Sequence, residues 1–428
     1  MPKIKLDNPK TEVAEGTMKY MTDGIRHVCE TYTSRLPGTQ SERDAQAFFK
    51  EELEGYTDNV IMEDFDVHPH AFMGFIPAAA VFLLGGIACY WFGKGSMVAA
   101  ILGAVLPFLA VLMFLFEFLF YREFVDFLFP KRVSRNVYAV RKPSGAITKR
   151  IIFGGHTDAA NEWTYSYLGE VVALGIVIFG GVVSMFAGLI INVARLVHIA
   201  GGGAPDLTGG WKAMGIILLC TIPFALAIMK FINYKVICDG ANDNISANYI
   251  AMALLKEMND AGLRLEHTEV AALLTGSEEA GLRGAKAFAK RHQKEFSDPA
   301  VETVFIAMDT MREIEELRVC NFGCTGTVRN DKAVGDLLHE AGRLCGADMP
   351  NSELYPGAVD AEGFSMFGLR SNGFTGVSHE AKRYYHTRQD TPDNISEACL
   401  GLSLNICKEA VRLFDEKGMA PYDAARAK

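Results

Sequence analysis

The chain has 428 residues, 50% hydrophobic and 22% charged, with 42 Lys and Arg against 51 Asp and Glu and a formal net charge of −9. That composition excludes a disordered or collagen-like chain, and the acidic balance argues against a nucleic-acid partner. Nine scattered cysteines, an odd number, do not read as a secreted disulfide framework.

In chain order, Met1–Glu15 is charged and polar and no apolar stretch precedes Ala71, so no secretory signal is expected. Met18–Leu53 reads as two helices separated at Ser34–Gly38, and Asn59–Val67 (NVIMEDFDV) alternates as a strand does. Ala71–Phe120 follows, with Lys94 and Glu117 as its formal charges. It divides at the Gly93–Ser96 turn into the apolar runs Ala71–Phe92 and Met97–Phe116. Ser134–Arg141 and Arg150–Gly154 are strand candidates about a Pro143–Gly145 turn.

A second apolar block gives the runs Val171–Ile191 and Ala213–Met229, joined by a Gly-rich polar stretch at Gly201–Asp206. Runs of about 20 residues rising ~1.5 Å per residue cross a hydrocarbon core of roughly 30 Å. Pro77, Pro107 and Pro223 sit inside these runs, where a transmembrane helix tolerates them better than a soluble one. Trp91 and Trp211 mark run ends. Two transmembrane helical hairpins, four spans, are expected, which makes the lipid bilayer a partner. Glu117 and Glu170, near span ends, are expected to reach the interface.

Each hairpin returns the chain to the side it left, where Arg122, Lys131, Arg132, Arg135, Lys230 and Lys235 flank the spans. The far turns carry Lys94, Arg195 and Lys212. The positive-inside rule then gives a multi-pass cell-membrane protein whose soluble part faces the cytoplasm. The Gly180–Gly181 face is suited to helix packing within the chain or in a homo-oligomer.

In the remainder, Ser246–Ala261, Lys332–Cys345 and Ser396–Asp415 read as helices, and Glu269–Thr275 and Thr303–Met308 as buried strands. Alternating strands and helices predict an α/β fold, a mixed, mostly parallel sheet flanked by helices, into which the hairpins are inserted. The expected division is 1–70, 122–168 and 231–428 for the soluble α/β domain and 71–121 and 169–230 for the hairpins.

Polar residues collect where these strands end. IIFGG runs into His156-Thr157-Asp158, AALLTGS into Glu278-Glu279 and VFIAM into Asp309. Gly240-Ala241-Asn242-Asp243-Asn244 opens the helix at Ser246, and Tyr384-Tyr385-His386 precedes a loop ending at Asp393. Open α/β sheets bind ligands at the carboxyl ends of their strands. If these segments converge, Asp158, Asp243, Glu278, Glu279 and Asp309 place five carboxylates in one pocket, which is strongly unfavourable without countercharge. Two divalent cations would neutralise them, and His156 and His386 make zinc a better match than magnesium or calcium.

Together these motifs resemble the dizinc aminopeptidase family of the Streptomyces and Aeromonas aminopeptidases, in a superfamily with glutaminyl cyclases and glutamate carboxypeptidase. The resemblance runs from SRLPGTQSERDAQAFFKEEL (Ser34–Leu53) through GGHTD, GANDN, TGSEEAGLRGAKAF and AMDT to YHTRQDTPDNI (Tyr385–Ile395). It implies two Zn2+ per chain: Asp243 bridging both, His156 and Asp309 completing one, Glu279 and His386 the other. It implies that Glu278 is the general base, taking a proton from the attacking water and passing it to the leaving amine. Asp158 is then expected to hold the second nitrogen of the His156 ring, and Asp390 to act similarly near His386.

A peptide substrate and aminopeptidase activity follow from the resemblance. The alternatives are glutaminyl-peptide cyclisation and a non-catalytic membrane scaffold of the same fold. The sequence departs from the family in the long His156–Asp243 gap, in Ile245-Ser246-Ala247 where small residues and Gly are usual, and in Asp239, a carboxylate without an assigned role. Cys320 and Cys324 read as reduced packing residues.

Overall fold

A computed structural model describes residues 3–323, 325–354, 357–378 and 384–426; Cys324, His379 and the side chain of Glu170 lie outside the described parts. The chain forms two compact units: Met1–Pro69 with Lys131–Glu162 and Lys235–Lys428, and His70–Pro130 with Trp163–Tyr234.

The first unit is a mixed α/β fold. Its sheet comprises β1 (Asn59–Val67), β2 (Arg132–Arg141), β3 (Lys149–His156), β4 (Thr268–Thr275), β5 (Glu302–Asp309), β6 (Arg318–Gly323), β7 (Asn351–Leu354) and β8 (Ser371–Thr375). The spatial order is β7-β6-β8-β5-β3-β4-β2-β1. The neighbours β7·β6, β8·β5, β5·β3 and β3·β4 are parallel; β6·β8, β4·β2 and β2·β1 are antiparallel. Central strands covered on both faces need apolar residues at every position. β4 is buried throughout, and β3 at all but its first residue.

Alternate residues serve opposite faces. Val137, Ile151, Phe153, Leu274 and Ile306 join one core with the helices Glu15–Thr31, Gln40–Glu54, Ser246–Asp260, Lys332–Leu344 and Glu397–Lys417. Their sequence neighbours turn the other way: Phe305 stacks on Phe364 at 4.2 Å between ring centres, and Tyr138 meets Phe288 at 5.2 Å. Phe288 and Phe364 come from the helices Arg283–Phe296 and Asp360–Ser365.

The second unit is helical. Among the described residues four helices are long and apolar enough to cross a membrane, at Ala71–Phe92, Met97–Leu119, Val171–Ala200 and Gly209–Ile228. The third begins at Thr164, so the helix Thr164–Ala200 extends well beyond the apolar run that announces it. A Cβ on Gly180 would lie 2.1 Å from the Phe224 ring, so this small-residue face packs against the last helix of its own chain. Glu117 does not reach outward. It is fully buried, and its Oε2 accepts the amides of Phe124 and Val125 at 2.9 and 3.0 Å, closing the turn after the second helix.

Candidate metal centre

Three parallel strands deliver the first residues. His156 ends β3 in register with Thr275 of β4, and Asp309 ends β5 on the other side of β3. Glu278 and Glu279 follow β4 in a single 3-10 turn, and Asp243 lies in the Ala241–Ile245 turn that opens the helix Ser246–Asp260. His386 comes from the loop before the helix Glu397–Lys417. Ser277, Thr310 and His386 hold positive φ angles of 53°, 49° and 52°. Left-handed backbone is costly for residues with a Cβ and collects where function over-determines the geometry.

These side chains meet around Asp243. Its Oδ1 is 3.1 Å from His156 Nε2 and its Oδ2 is 3.2 Å from His386 Nε2. His156 Nε2 is 3.8 Å from Asp309 Oδ2 and 3.9 Å from Glu278 Oε2, and His386 Nε2 is 3.6 Å from Glu279 Oε1. Three overlapping donor groups result among the described residues, His156–Asp243–Asp309, Asp243–Glu279–His386 and His156–Glu278–Glu279, each with its ligand atoms within 4.8 Å of one another.

The electrostatics of this cluster follow from burial and mutual charge. Burial, then the neighbouring carboxylates, push Glu278 and Asp309 well above the ordinary carboxylate range and hold Glu279 at about 7. At His386 burial acts to lower the pKa but is outweighed by Glu279 and Asp243, which hold it at about 9. At His156 burial is likewise outweighed, by hydrogen bonds to Asp158 and Asp243. Asp243 moves the opposite way: burial would raise it, yet the two imidazoles keep it below its usual value. A largely buried set of two imidazoles and three carboxylates, with Glu279 Oε1 left without a hydrogen-bond donor among the described residues, fits divalent metal, and the N/O mixture suits zinc.

Surrounding residues brace the ligands. Asp158 is buried, and its two oxygens accept the amides of Glu278 and Glu279 at 3.0 Å each. The His156 Nδ1 lies 3.1 Å from the Asp158 carbonyl and 3.5 Å from its Oδ1, so the ring is oriented more by the backbone of Asp158 than by its carboxylate. Asp390 accepts the amides of Asn242 and Asp243 at 2.8 and 3.1 Å and so fixes the bridging turn. Asp239 contributes its backbone: its carbonyl accepts from the buried Arg35, which also donates to the Thr157 carbonyl.

Two further carboxylates were not foreseen. Glu42 is fully buried and accepts from Gly38, Ser134 and Ser277, and burial followed by the charge of Asp158 holds it at about 8. Asp360 accepts from Thr275 Oγ1 through Oδ2 and is held by burial at about 6. Its Oδ1 is buried with no donor among the described residues. Glu42 sits inside the SRLPGTQSERD motif, which was the available signal; Asp360 lies in no motif.

Residues 228–411 match the family described as peptidase family M28. This part of the chain is thus similar to an M28 peptidase domain. The match takes in Asp243, Glu278, Glu279, Asp309 and His386, while His156 precedes it and is brought in by the sheet. The fold is similar to that of a glutaminyl cyclase from an Acidobacteriales bacterium, with a TM-score of 0.53 at 12% identity over 95% of this chain and 97% of that one. It is similar to an aminopeptidase from Aneurinibacillus sp. strain AM-1, with a TM-score of 0.53 at 15% identity over 94% of each chain. A third similar structure is BSAP, a zinc aminopeptidase from Bacillus subtilis, with a TM-score of 0.52 at 12% identity over 92% of this chain and 94% of that one. At these identities the likeness is one of fold. No curated protein matches the sequence.

Proposed function

We propose that the protein is a membrane-embedded dizinc aminopeptidase that removes N-terminal residues from peptides, with its M28 domain on the cytoplasmic side. The observation that carries the reading is Asp243, whose two oxygens each face a different histidine at 3.1 and 3.2 Å, as a shared ligand of two cations requires. His156 and Asp309 would complete one cation's ligands and Glu279 and His386 the other's. When bound, the cations supply Lewis-acid activation of water and of the carbonyl under attack.

The protein's own part is proton handling and positioning. Glu278 stands outside the two proposed ligand sets, and its high proton affinity suits a base that takes a proton from the attacking water and returns it to the leaving amine. The Asp158 carboxylate sets where that base stands by holding the amides of Glu278 and Glu279. Asp390 does the same for the bridging turn.

A second reading, cyclisation of N-terminal glutamine with release of ammonia, is supported by the likeness of fold to a glutaminyl cyclase. The complete set of ligands for two cations favours hydrolysis. Detergent-purified protein offered aminoacyl chromogenic substrates is expected to cleave those with a free α-amine and to leave N-acetylated versions intact. Ammonia release from a Gln-peptide without hydrolysis of that panel installs the second reading.

A further inference from the structure

The helical unit holds a cavity of about 390 Å³ between the Gly93–Ser96 turn, the last turns of the helix Thr164–Ala200 and the loop at Pro205–Leu207. Its lining is polar for a span-forming unit: Lys94, Ser96, Asn192 and Arg195 reach it, with Asp206 at the loop.

Arg195 is 5% exposed. Its Nη2 donates to the Pro205 carbonyl, and the guanidinium carbon lies 5.1 Å from the centre of the Trp211 ring and 6.0 Å from that of Tyr90. Its Nη1 is buried and has no acceptor among the described residues. A buried guanidinium with an open N–H is costly until an anion completes it. The same cavity is lined by Ser96, Ala99 and Ala100, the first turn of the 17-residue helix Met97–Met113. The dipole of that helix N-terminus favours negative charge, although Ser96 already accepts the Ala99 and Ala100 amides, at 3.4 and 3.0 Å. Gly95, at φ 78°, packs so closely on Pro205 that a Cβ would lie 2.1 Å from the proline Cβ, which holds the two turns together.

We propose that this cavity binds the phosphate of an anionic phospholipid headgroup. Arg195 Nη1 and Lys94 would supply the charge-assisted donors, and the exposed Asp206 leaves the lining with one net positive charge. The volume accommodates a headgroup and no acyl chain. Next to it the helix surfaces are apolar and open, with Phe92 79% and Val98 66% exposed, as a surface carrying acyl chains is. Tyr90, Trp91 and Trp211 surround the site with the aromatic residues that gather at headgroup level. The proposal rests on these helices crossing a bilayer and is independent of the reaction at the metal centre.

Delipidated full-length protein in detergent, titrated with phosphatidylglycerol and followed by native mass spectrometry, tests it. One phosphatidylglycerol is expected to stay on each chain, bound roughly tenfold more weakly by Arg195→Gln and about threefold more weakly by Lys94→Ala. Phosphatidylcholine and millimolar inorganic phosphate are expected to bind less tightly than phosphatidylglycerol. Equal retention by wild type and both variants overturns the proposal, and so does stabilisation by inorganic phosphate without lipid retention, which would make it a free-anion site. If Arg195→Gln does not fold, Lys94→Ala in the exposed turn carries the test, its unchanged melting temperature in detergent reporting an intact fold. Protein that stays soluble without detergent breaks the membrane reading itself. Protein that needs detergent yet retains no phosphatidylglycerol breaks this proposal alone.

Discussion

In the α/β unit Phe153, Phe305 and Phe374 are buried, whereas in the helical unit Phe179, Val172 and Ile190 are 73%, 69% and 65% exposed. Polar groups differ as sharply. The α/β unit gathers buried carboxylates at one edge of its sheet and binds them to the amides and hydroxyls of distant segments, as Asp158 holds Glu278 and Glu42 holds Ser277. The helical unit satisfies several of its buried polar side chains locally: Ser184 donates to the Gly180 carbonyl, Asn192 to Gly188 and Thr221 to Leu218. That is how side chains behave where no water reaches them and helix backbone is the nearest acceptor. The contrast supports the proposed setting, in which one unit meets water with a charged cluster inside and the other would meet lipid with apolar groups outside.

The largest effect expected from breaking that arrangement is chemical. Glu278→Gln should lower turnover by roughly 10²–10⁴-fold, the usual worth of a general base, while zinc content stays at the wild-type value. Retained hydrolysis in this variant removes the base assignment. In the other unit, Phe179→Asp puts a carboxylate on an exposed apolar surface. Water would hardly notice such a change, but mid-span it costs about 3 kcal/mol, so the yield of membrane-integrated protein should fall. An unchanged yield argues that this surface meets water.

A smaller change is expected from Asp158→Asn, which weakens the acceptors for the Glu278 and Glu279 amides. Residues one step removed from a metal are worth roughly 10–100-fold in metal affinity or activity, and a loss within that range, read as kcat and as zinc affinity, is expected here. A variant indistinguishable from wild type contradicts the bracing role.

The mildest effect is a change of slope with pH. Metal-free protein holds Glu279 and Asp390 at about 7, Glu42 at about 8 and His386 at about 9. All four lie above their unfolded values, so the folded state keeps protons that the unfolded chain releases. Stability of the metal-free protein therefore falls as the pH rises from about 5 to 9, and the contribution of His386 is present below its unfolded value and lost through about 9. Zinc displaces the protons of its own ligands, so the loaded protein should lose less stability across the same interval. Melting temperatures at both ends of the interval, with chelator and with zinc, check this; identical slopes count against it.

Much of the metal centre was legible because buried parallel strands are short apolar runs, and the polar residue ending each run marks the edge where ligands collect. IIFGG before His156 and VFIAM before Asp309 are of this kind. The braces were harder to see, because their partners are far away in sequence. Glu42 sits in an amphipathic helix among Ser41, Arg43 and Asp44, and only the fold carries it to the Ser277 amide. Asp360 follows a stretch with no periodicity. The strands β6, β7 and β8 went unread for a related reason: RVCNFG, NSEL and SNGFT are short and lack alternation, and pairing to neighbouring strands makes them strands. In the helical unit length and apolarity marked the four long apolar helices, but Glu117 looked like an interfacial charge and serves instead as a buried cap.

The central claim is that one carboxylate, Asp243, is shared between two metal positions. Zinc counted by elemental analysis in wild type and in Asp243→Ala, both purified full length and supplied with excess zinc, tests it most directly. Two zinc ions per chain in wild type, and loss of both in the variant, are expected. A wild type that binds one ion or none, or a variant that keeps both, contradicts the account.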